Sequence, residues 1–190
     1  YGGMYATSLP VSALARSGAD AVICGEFEEL LGDIVDDDLF TDRGDEIKGL
    51  IRRGNVEAPN TPRHIANLDL LPMPAYKEFS YDRYFQYPGR GNLRYPEKSR
   101  SYTHYQTSRG CPGKCCFCNV SYLRGKRGCR YRSIPLVIND LRYLIENCSI
   151  EEIHFLDENL TMNKNRTKRL FAGIMQAGLH FHWIASGGMN

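Results

Sequence analysis

The chain has 190 residues, 42% apolar and 24% charged, enough apolar material for a buried core, which excludes a disordered tail. Lys plus Arg number 24 against 22 Asp plus Glu, and a net charge of +2 gives no support to a polyanion binder, so no nucleic-acid partner is expected. No run approaches the roughly 18 apolar residues of a membrane span, and the opening YGGMYATSLP lacks the basic and apolar regions of a secretory signal. That opening has no initiator Met and reads like the end of a strand, so the chain is expected to be a window of something longer.

The elements follow in an α/β rhythm. Gly2-Gly3 reads as a tight turn, and residues 10–16 as a short helix with Pro10 in its first turn and Gly18 as its stop. Ala21-Val22-Ile23-Cys24 is an apolar run expected to form a strand buried on both faces. Gly25 breaks it, and a helix is expected over 26–36, with Phe27, Leu30, Leu31 and Ile34 on its apolar side and Glu26, Glu28 and Glu29 in its first turn. This is the pattern of an open parallel sheet, whose ligands sit at the carboxyl ends of its strands. Residues 47–53 and 56–58 suggest a hairpin about Gly54-Asn55.

From Pro59 to Tyr102, prolines scattered among aromatic residues predict an ordered but irregular linker, with short turns around residues 76–84. From 103 the β/α pattern returns. Strands are expected at 105–108, 152–156 and 181–185, and helices at 135–147 and 164–176, the second capped by Asn163 and stopped by Gly178.

Seven cysteines are present, and Cys111, Cys115, Cys116 and Cys118 are crowded into one short loop. A disulfide framework would spread them to staple distant segments, so crowding points to a reduced, cytoplasmic compartment and a metal or cluster site. Cys24 and Cys148 read as small buried hydrophobes. The spacing of Cys111, Cys115 and Cys118 supplies three thiolates. A [4Fe–4S] cube normally takes four, so three would leave one iron open to a cofactor or substrate. A zinc knuckle is the alternative reading of the same loop. His154 and His182 alternate with apolar residues and read as structural; His64, His104 and His180 form no constellation.

The cysteine spacing, Phe117 before the last cysteine, and Thr107-Ser108-Arg109-Gly110 ahead of the loop resemble the radical S-adenosylmethionine (SAM) superfamily. The resemblance implies that Cys111, Cys115 and Cys118 hold the cluster and that Phe117 lies near the adenine of SAM. It further implies that the cluster cleaves SAM to methionine and a 5′-deoxyadenosyl radical. The segment from Phe155 through Asp157, Glu158 and Asn159 to Thr161 resembles a strand-end segment of the cobalamin-binding subfamily that borders SAM. Asp157 and Asn159 are therefore expected at that site, with strand-end turn chemistry as the plainer alternative. Glu158 and Leu160 depart from that pattern. Arg130-Tyr131-Arg132-Ser133 resembles the lead into the first barrel helix. Arg124, Lys126, Arg127, Arg130 and Arg132 form a basic stretch that reads either as a solvated loop or as a contact for an anionic group.

Gly2, Gly3 and Thr7, then Gly25 and Glu26, resemble the last third of the cobalamin-binding domain of that subfamily, and Asn67 to Ala75 resembles the linker that follows it. By that resemblance these five residues border the corrin or its nucleotide tail. Tyr5 and Phe27 depart from the family pattern. The expected architecture is thus α/β. Residues 1–58 are the end of a Rossmann-like parallel-sheet domain, 59–102 a linker, and 103–190 the first β/α units of a partial TIM-type barrel.

The function expected is that of a radical SAM enzyme with a [4Fe–4S] cluster, SAM and cobalamin. It would act on a small-molecule substrate by methyl transfer, or by radical rearrangement or cyclisation, and draw electrons from a flavodoxin- or ferredoxin-like donor. A radical SAM enzyme without cobalamin, and a non-catalytic zinc or Fe–S module, are the alternatives. The segment alone is not expected to turn over.

Overall fold

The computed structural model describes residues 1–36, 47–54, 62–78, 83, 98–123 and 128–188. They fall into two compact units, Tyr1–Ala66 with Pro112–Gly128, and Asn67–Cys111 with Cys129–Asn190.

The first unit starts with Met4–Ser8 (α1), a helical turn where the sequence suggested only a glycine turn. Pro10–Ser17 (α2) follows, with Pro10 at a position whose missing N–H costs no helical bond. Ala21–Ile23 (β1) and Leu50–Arg52 (β2) pair antiparallel, with Val22 opposite Ile51. Both residues enter a small core with Ala6, Ala13, Leu14 and Cys24. Burying these apolar side chains together is the physical reason β2 lies on β1. The other arm of that hairpin, 56–58, lies outside the described residues. The parallel neighbour expected for this strand takes the form of a single bridge, Gly25 to Arg63.

Glu28–Asp36 (α3) begins two residues later than expected, because Glu26 is spent elsewhere: it is buried, and its Oε2 accepts the Ile65 N–H at 2.8 Å. Of the expected apolar stripe only Leu30 is buried, while Phe27 and Leu31 are exposed. A short helix, Val120–Leu123 (α4), also belongs to this unit.

The second unit is an α/β array. Tyr102–Tyr105 (β3), Glu152–Phe155 (β6) and His182–Ala185 (β7) form a parallel sheet in the order β3-β6-β7, with Phe155 opposite both Tyr105 and Ala185. Ile134–Cys148 (α5) connects the first pair and Lys164–Gln176 (α6) the second, giving two successive β/α crossovers. Tyr105, Ile153 and Phe155 alternate onto the helix-facing side and pack with Val137, Leu141, Leu144, Leu170 and Ile174. Asn163 caps α6 as expected, its Oδ1 accepting the Arg166 N–H at 3.0 Å.

The first parallel strand stops at Tyr105, short of the expected 105–108. Thr107 leaves the ladder to bond Asp157 and Arg132, and Ser108–Arg109 (β4) pairs antiparallel with Arg130–Tyr131 (β5). The irregular segment contributes single turns at Leu68–Leu70 and Tyr76–Glu78.

At Arg132 the structure decides between the two readings of the basic stretch, in favour of contact with an anionic group. It is buried, 2.8 Å from Asp140, and donates to the Leu68 carbonyl at 2.6 Å and the Leu71 carbonyl at 2.9 Å. Asp69 adds a bond from the Ser133 N–H at 2.7 Å, so the irregular segment is tied to the start of α5. The Tyr105 hydroxyl donates to Asp140 at 2.6 Å, and burial together with this bond raises its pKa well above the ordinary value. Residues 124–127 lie outside the described residues. Among the described residues no helix is long and apolar enough to cross a membrane.

At the opposite ends of the strands, Glu152 is buried. It accepts N–H groups from Lys98 at 2.7 Å and Ser99 at 2.8 Å, and lies 2.9 Å from the Nε2 of His154, which is itself wholly buried and stacked on Tyr102. This is the structural role expected of His154. Burial pushes the Glu152 pKa up, but the Ser99, His154 and Lys98 donors outweigh it and the net shift is downward.

A pKa lowered on folding stabilises the protein above the ordinary glutamate value of 4.5, and that contribution is lost as pH falls through the lower folded value. Urea titrations against pH should therefore show a shallower acid limb for Glu152→Gln than for the wild type. Phe155 packs edge-on against Phe171 and the single tryptophan, Trp183. Phe155→Ala should cost about 3–5 kcal/mol, read from the Trp183 fluorescence transition in urea.

Candidate active site

The carboxyl ends of β3 and β6 are joined by a buried carboxylate. Asp157, two residues beyond β6, accepts the Thr107 N–H at 3.0 Å and the Thr107 hydroxyl at 2.7 Å, and the Ser108 hydroxyl donates to the same carboxylate. β-Branched Thr107 and the small Ser108 suit this place because each presents a hydroxyl one atom from the backbone. Arg166, from the first turn of α6, reaches the same edge. It donates to the Thr107 hydroxyl at 3.1 Å, to the Thr107 carbonyl at 3.2 Å and to the Arg132 carbonyl at 2.8 Å. Its guanidinium lies 4.7 Å from the centre of the Tyr131 ring. Burial lowers the Arg166 pKa, against the pull of Asp157.

The adjoining β4–β5 ladder carries Cys129 and Tyr131 beside the start of the cysteine loop. Burial raises the Cys129 pKa, and burial with the Cys129 bond pushes Tyr131 up to about 12, so both stay neutral near pH 7. Glu158 Oε2 accepts the N–H of Gly110, the residue before Cys111, at 3.0 Å. Asn159 closes a local turn, accepting from the Thr161 N–H at 3.2 Å and from its hydroxyl at 3.3 Å.

Asp157, Glu158 and the root of the cysteine loop are thus brought to one edge of the second unit. In the loop itself the Cys118 N–H bonds the Cys115 carbonyl at 3.1 Å, a turn that draws those two residues together. Cys115, Cys116, Cys118 and Phe117 are exposed, Cys111 is half-buried, and none of the four cysteines is in a disulfide. Among the described residues no three His, Cys, Asp or Glu side chains stand in metal-ligating geometry.

In the first unit Gly2 and Gly3 are exposed. Thr7 is buried, donating to the Gly3 carbonyl and accepting the Gly25 N–H, both at 2.9 Å. A Cβ on Gly25 would sit 2.2 Å from the Arg63 carbonyl oxygen, so the missing side chain there makes room for a neighbouring strand.

Arg166 was missed by sequence reasoning, although a signal existed. A cation in the first turn opposes the helix dipole, which suggests a specific partner. Cys129 carried no local signal, because its neighbours are set by the β4–β5 pairing.

A parallel β/α array with polar groups at its carboxyl edge, its first strand followed in the chain by β4 and then by the cysteines, has the chain order of a β/α enzyme. Residues 105–190 match the Radical SAM superfamily model, so this part of the chain is similar to that superfamily. It is 33% identical to an uncharacterized methyltransferase of Pyrococcus horikoshii, over 100% of this chain and 39% of the relative. It is 28% identical to cytidylyl-2-hydroxyethylphosphonate methyltransferase of Streptomyces wedmorensis, over 94% of this chain and 37% of the relative. The chain therefore spans well under half the length of these curated relatives.

Its fold is similar to TsrM from Kitasatospora setae, a radical SAM methyltransferase whose structure holds cobalamin and a [4Fe–4S] cluster. The TM-score is 0.62 at 16% identity, over 92% of this chain and 33% of the other. A second TsrM structure, with tryptophan and a SAM analogue bound, gives 0.63 at 17% identity, over 92% of this chain and 32% of the other.

The Asp157 clamp predicts a stability effect that needs no ligand. Asp157→Ala strands two hydroxyls, one N–H and the Arg166 charge, and should cost about 3 kcal/mol or more in urea denaturation of the cofactor-free protein. A carboxylate that only touched a ligand would leave that stability unchanged.

Proposed function

We propose that the full-length protein is a cobalamin-dependent radical SAM methyltransferase that transfers a methyl group to carbon or phosphorus of a small-molecule substrate in the cytoplasm. The observation that carries this reading is the loop of Cys111, Cys115 and Cys118 leaving the carboxyl edge of a parallel β/α array. The donor set fits: three thiols outside any disulfide, two of them exposed and drawn together by the Cys118–Cys115 turn. These residues would hold the cluster. Bound there, a [4Fe–4S] cluster with one iron free of protein ligand supplies a low-potential electron and a coordination position for SAM.

The chain's own residues bind and orient. Phe117, fully presented to solvent, offers a face for the adenine. Asp157 and Asn159 fix the backbone at the strand end that borders SAM, with Asp157 acting through Thr107 and Ser108. Gly2, Gly3, Thr7, Gly25 and Glu26 shape the cobalamin side. There the two exposed glycines allow close approach, while Thr7 and Glu26 hold the turns about Gly3, Gly25 and Ile65. Methyl transfer is favoured over rearrangement by the methyltransferase relatives in Pyrococcus and Streptomyces. The electron donor is a flavodoxin- or ferredoxin-like protein.

Anaerobic reconstitution of the full-length protein with iron and sulfide, followed by reduction and addition of SAM, should give a cluster signal and SAM-derived products. The full-length protein should also retain a corrin on purification. Uptake of zinc without iron overturns the radical reading; a loaded cluster without corrin overturns only the cobalamin part. Cys115→Ala should abolish the cluster absorbance, and a variant that kept it in full would remove Cys115 from the ligand set.

A further inference from the structure

Gly110, the residue before Cys111, is held from two sides. Its N–H donates to Glu158 Oε2 at 3.0 Å, and its carbonyl accepts the Cys129 S–H at 3.0 Å. It is buried, and its φ of +96° lies in the left-handed region that glycine adopts without strain. Both grips come from elements fixed independently of the loop. The β4–β5 register, Ser108 to Tyr131 and Arg109 to Arg130, continues to place Cys129 beside Gly110. Glu158 follows Asp157, whose carboxylate is already locked to Thr107 and Ser108. The extra methylene that distinguishes Glu158 from an aspartate gives it the reach to pass that clamp to the next residues of the chain.

We propose that Glu158 and Cys129 are positioning residues for the cluster, acting through Gly110 to fix where Cys111 leaves the sheet. This rests on the radical SAM reading of the loop. Neither side chain ligates; each satisfies one backbone group of Gly110, so the peptide leading into Cys111 cannot rotate. With both grips in place, the arm that carries Cys111 would be held in position before a cluster is bound. Partners of ligands commonly change metal affinity by about 10–100-fold when removed, and backbone pre-organisation acts in the same sense.

The test uses the full-length protein, reconstituted anaerobically, and follows the rate at which cluster iron passes to an excess of chelator. Thermal unfolding of the cofactor-free protein is measured alongside. Glu158→Ala should release iron about ten-fold faster than wild type, and Cys129→Ala several-fold faster. Glu158→Gln and Cys129→Ser, which keep an acceptor and a donor respectively, should stay within about two-fold of wild type.

If both alanine variants release iron at the wild-type rate, the proposal is overturned while the function stands. The proposal also falls if Glu158→Gln, with unchanged unfolding, is as leaky as Glu158→Ala, because the bond to Gly110 is then not the cause. Faster release that tracks a matching loss of unfolding temperature assigns both residues a general structural role and likewise overturns it. A wild type that assembles no cluster overturns the function reading itself.

Discussion

A single buried carboxylate organises the functional edge of the second unit. Asp157 takes three hydrogen bonds from the two residues at which the first parallel strand leaves its ladder, and it attracts the half-buried guanidinium of Arg166. A charge removed from water on this scale persists only when donors surround it. The carboxylate therefore dictates where Thr107 and Ser108 lie, and so where the chain turns toward Cys111. The β4–β5 pairing, the stacking of Arg166 over Tyr131 and the seat of Gly110 all follow from that turn.

A second buried pair does comparable work at the start of α5. Arg132 and Asp140 bind each other, and through Leu68, Leu71 and Tyr105 they join the irregular segment to the first parallel strand and to α5. The backbone carbonyls of a segment with little regular structure need donors, and a guanidinium with several N–H groups supplies more than one. This explains how residues 68–71 are held in place with no more regular structure than a single helical turn. Both pairs use polar contacts to fix segments that apolar packing alone would leave free to slide.

Much of the second unit was legible in the sequence. Helix 164–176 and its Asn163 cap are where periodicity and capping place them, and the strand expected at 152–156 starts in place and ends one residue early. Packing of the apolar period and local side-chain capping are short-range, so a window of sequence contains them. The 105–108 strand was misplaced because its end is set by Asp157, some fifty residues away in the chain. The sequence left Arg132 open between a solvated loop and a contact for an anionic group for the same reason: its partners, Leu68 and Asp140, lie on segments that only folding brings to it. In the first unit, Glu26 resembled an ordinary first-turn acid until the Ile65 N–H claimed it.

The sequence by itself determined the α/β character, the thiol loop and the family it signals, because cysteine spacing and hydrophobic period are properties of neighbouring residues. Only the tertiary structure decided which polar groups would be buried and what they would hold. Asp157, Glu158, Arg166 and Cys129 act on residues distant in the chain, and the low dielectric that gives their bonds weight exists only once the strands have closed around them.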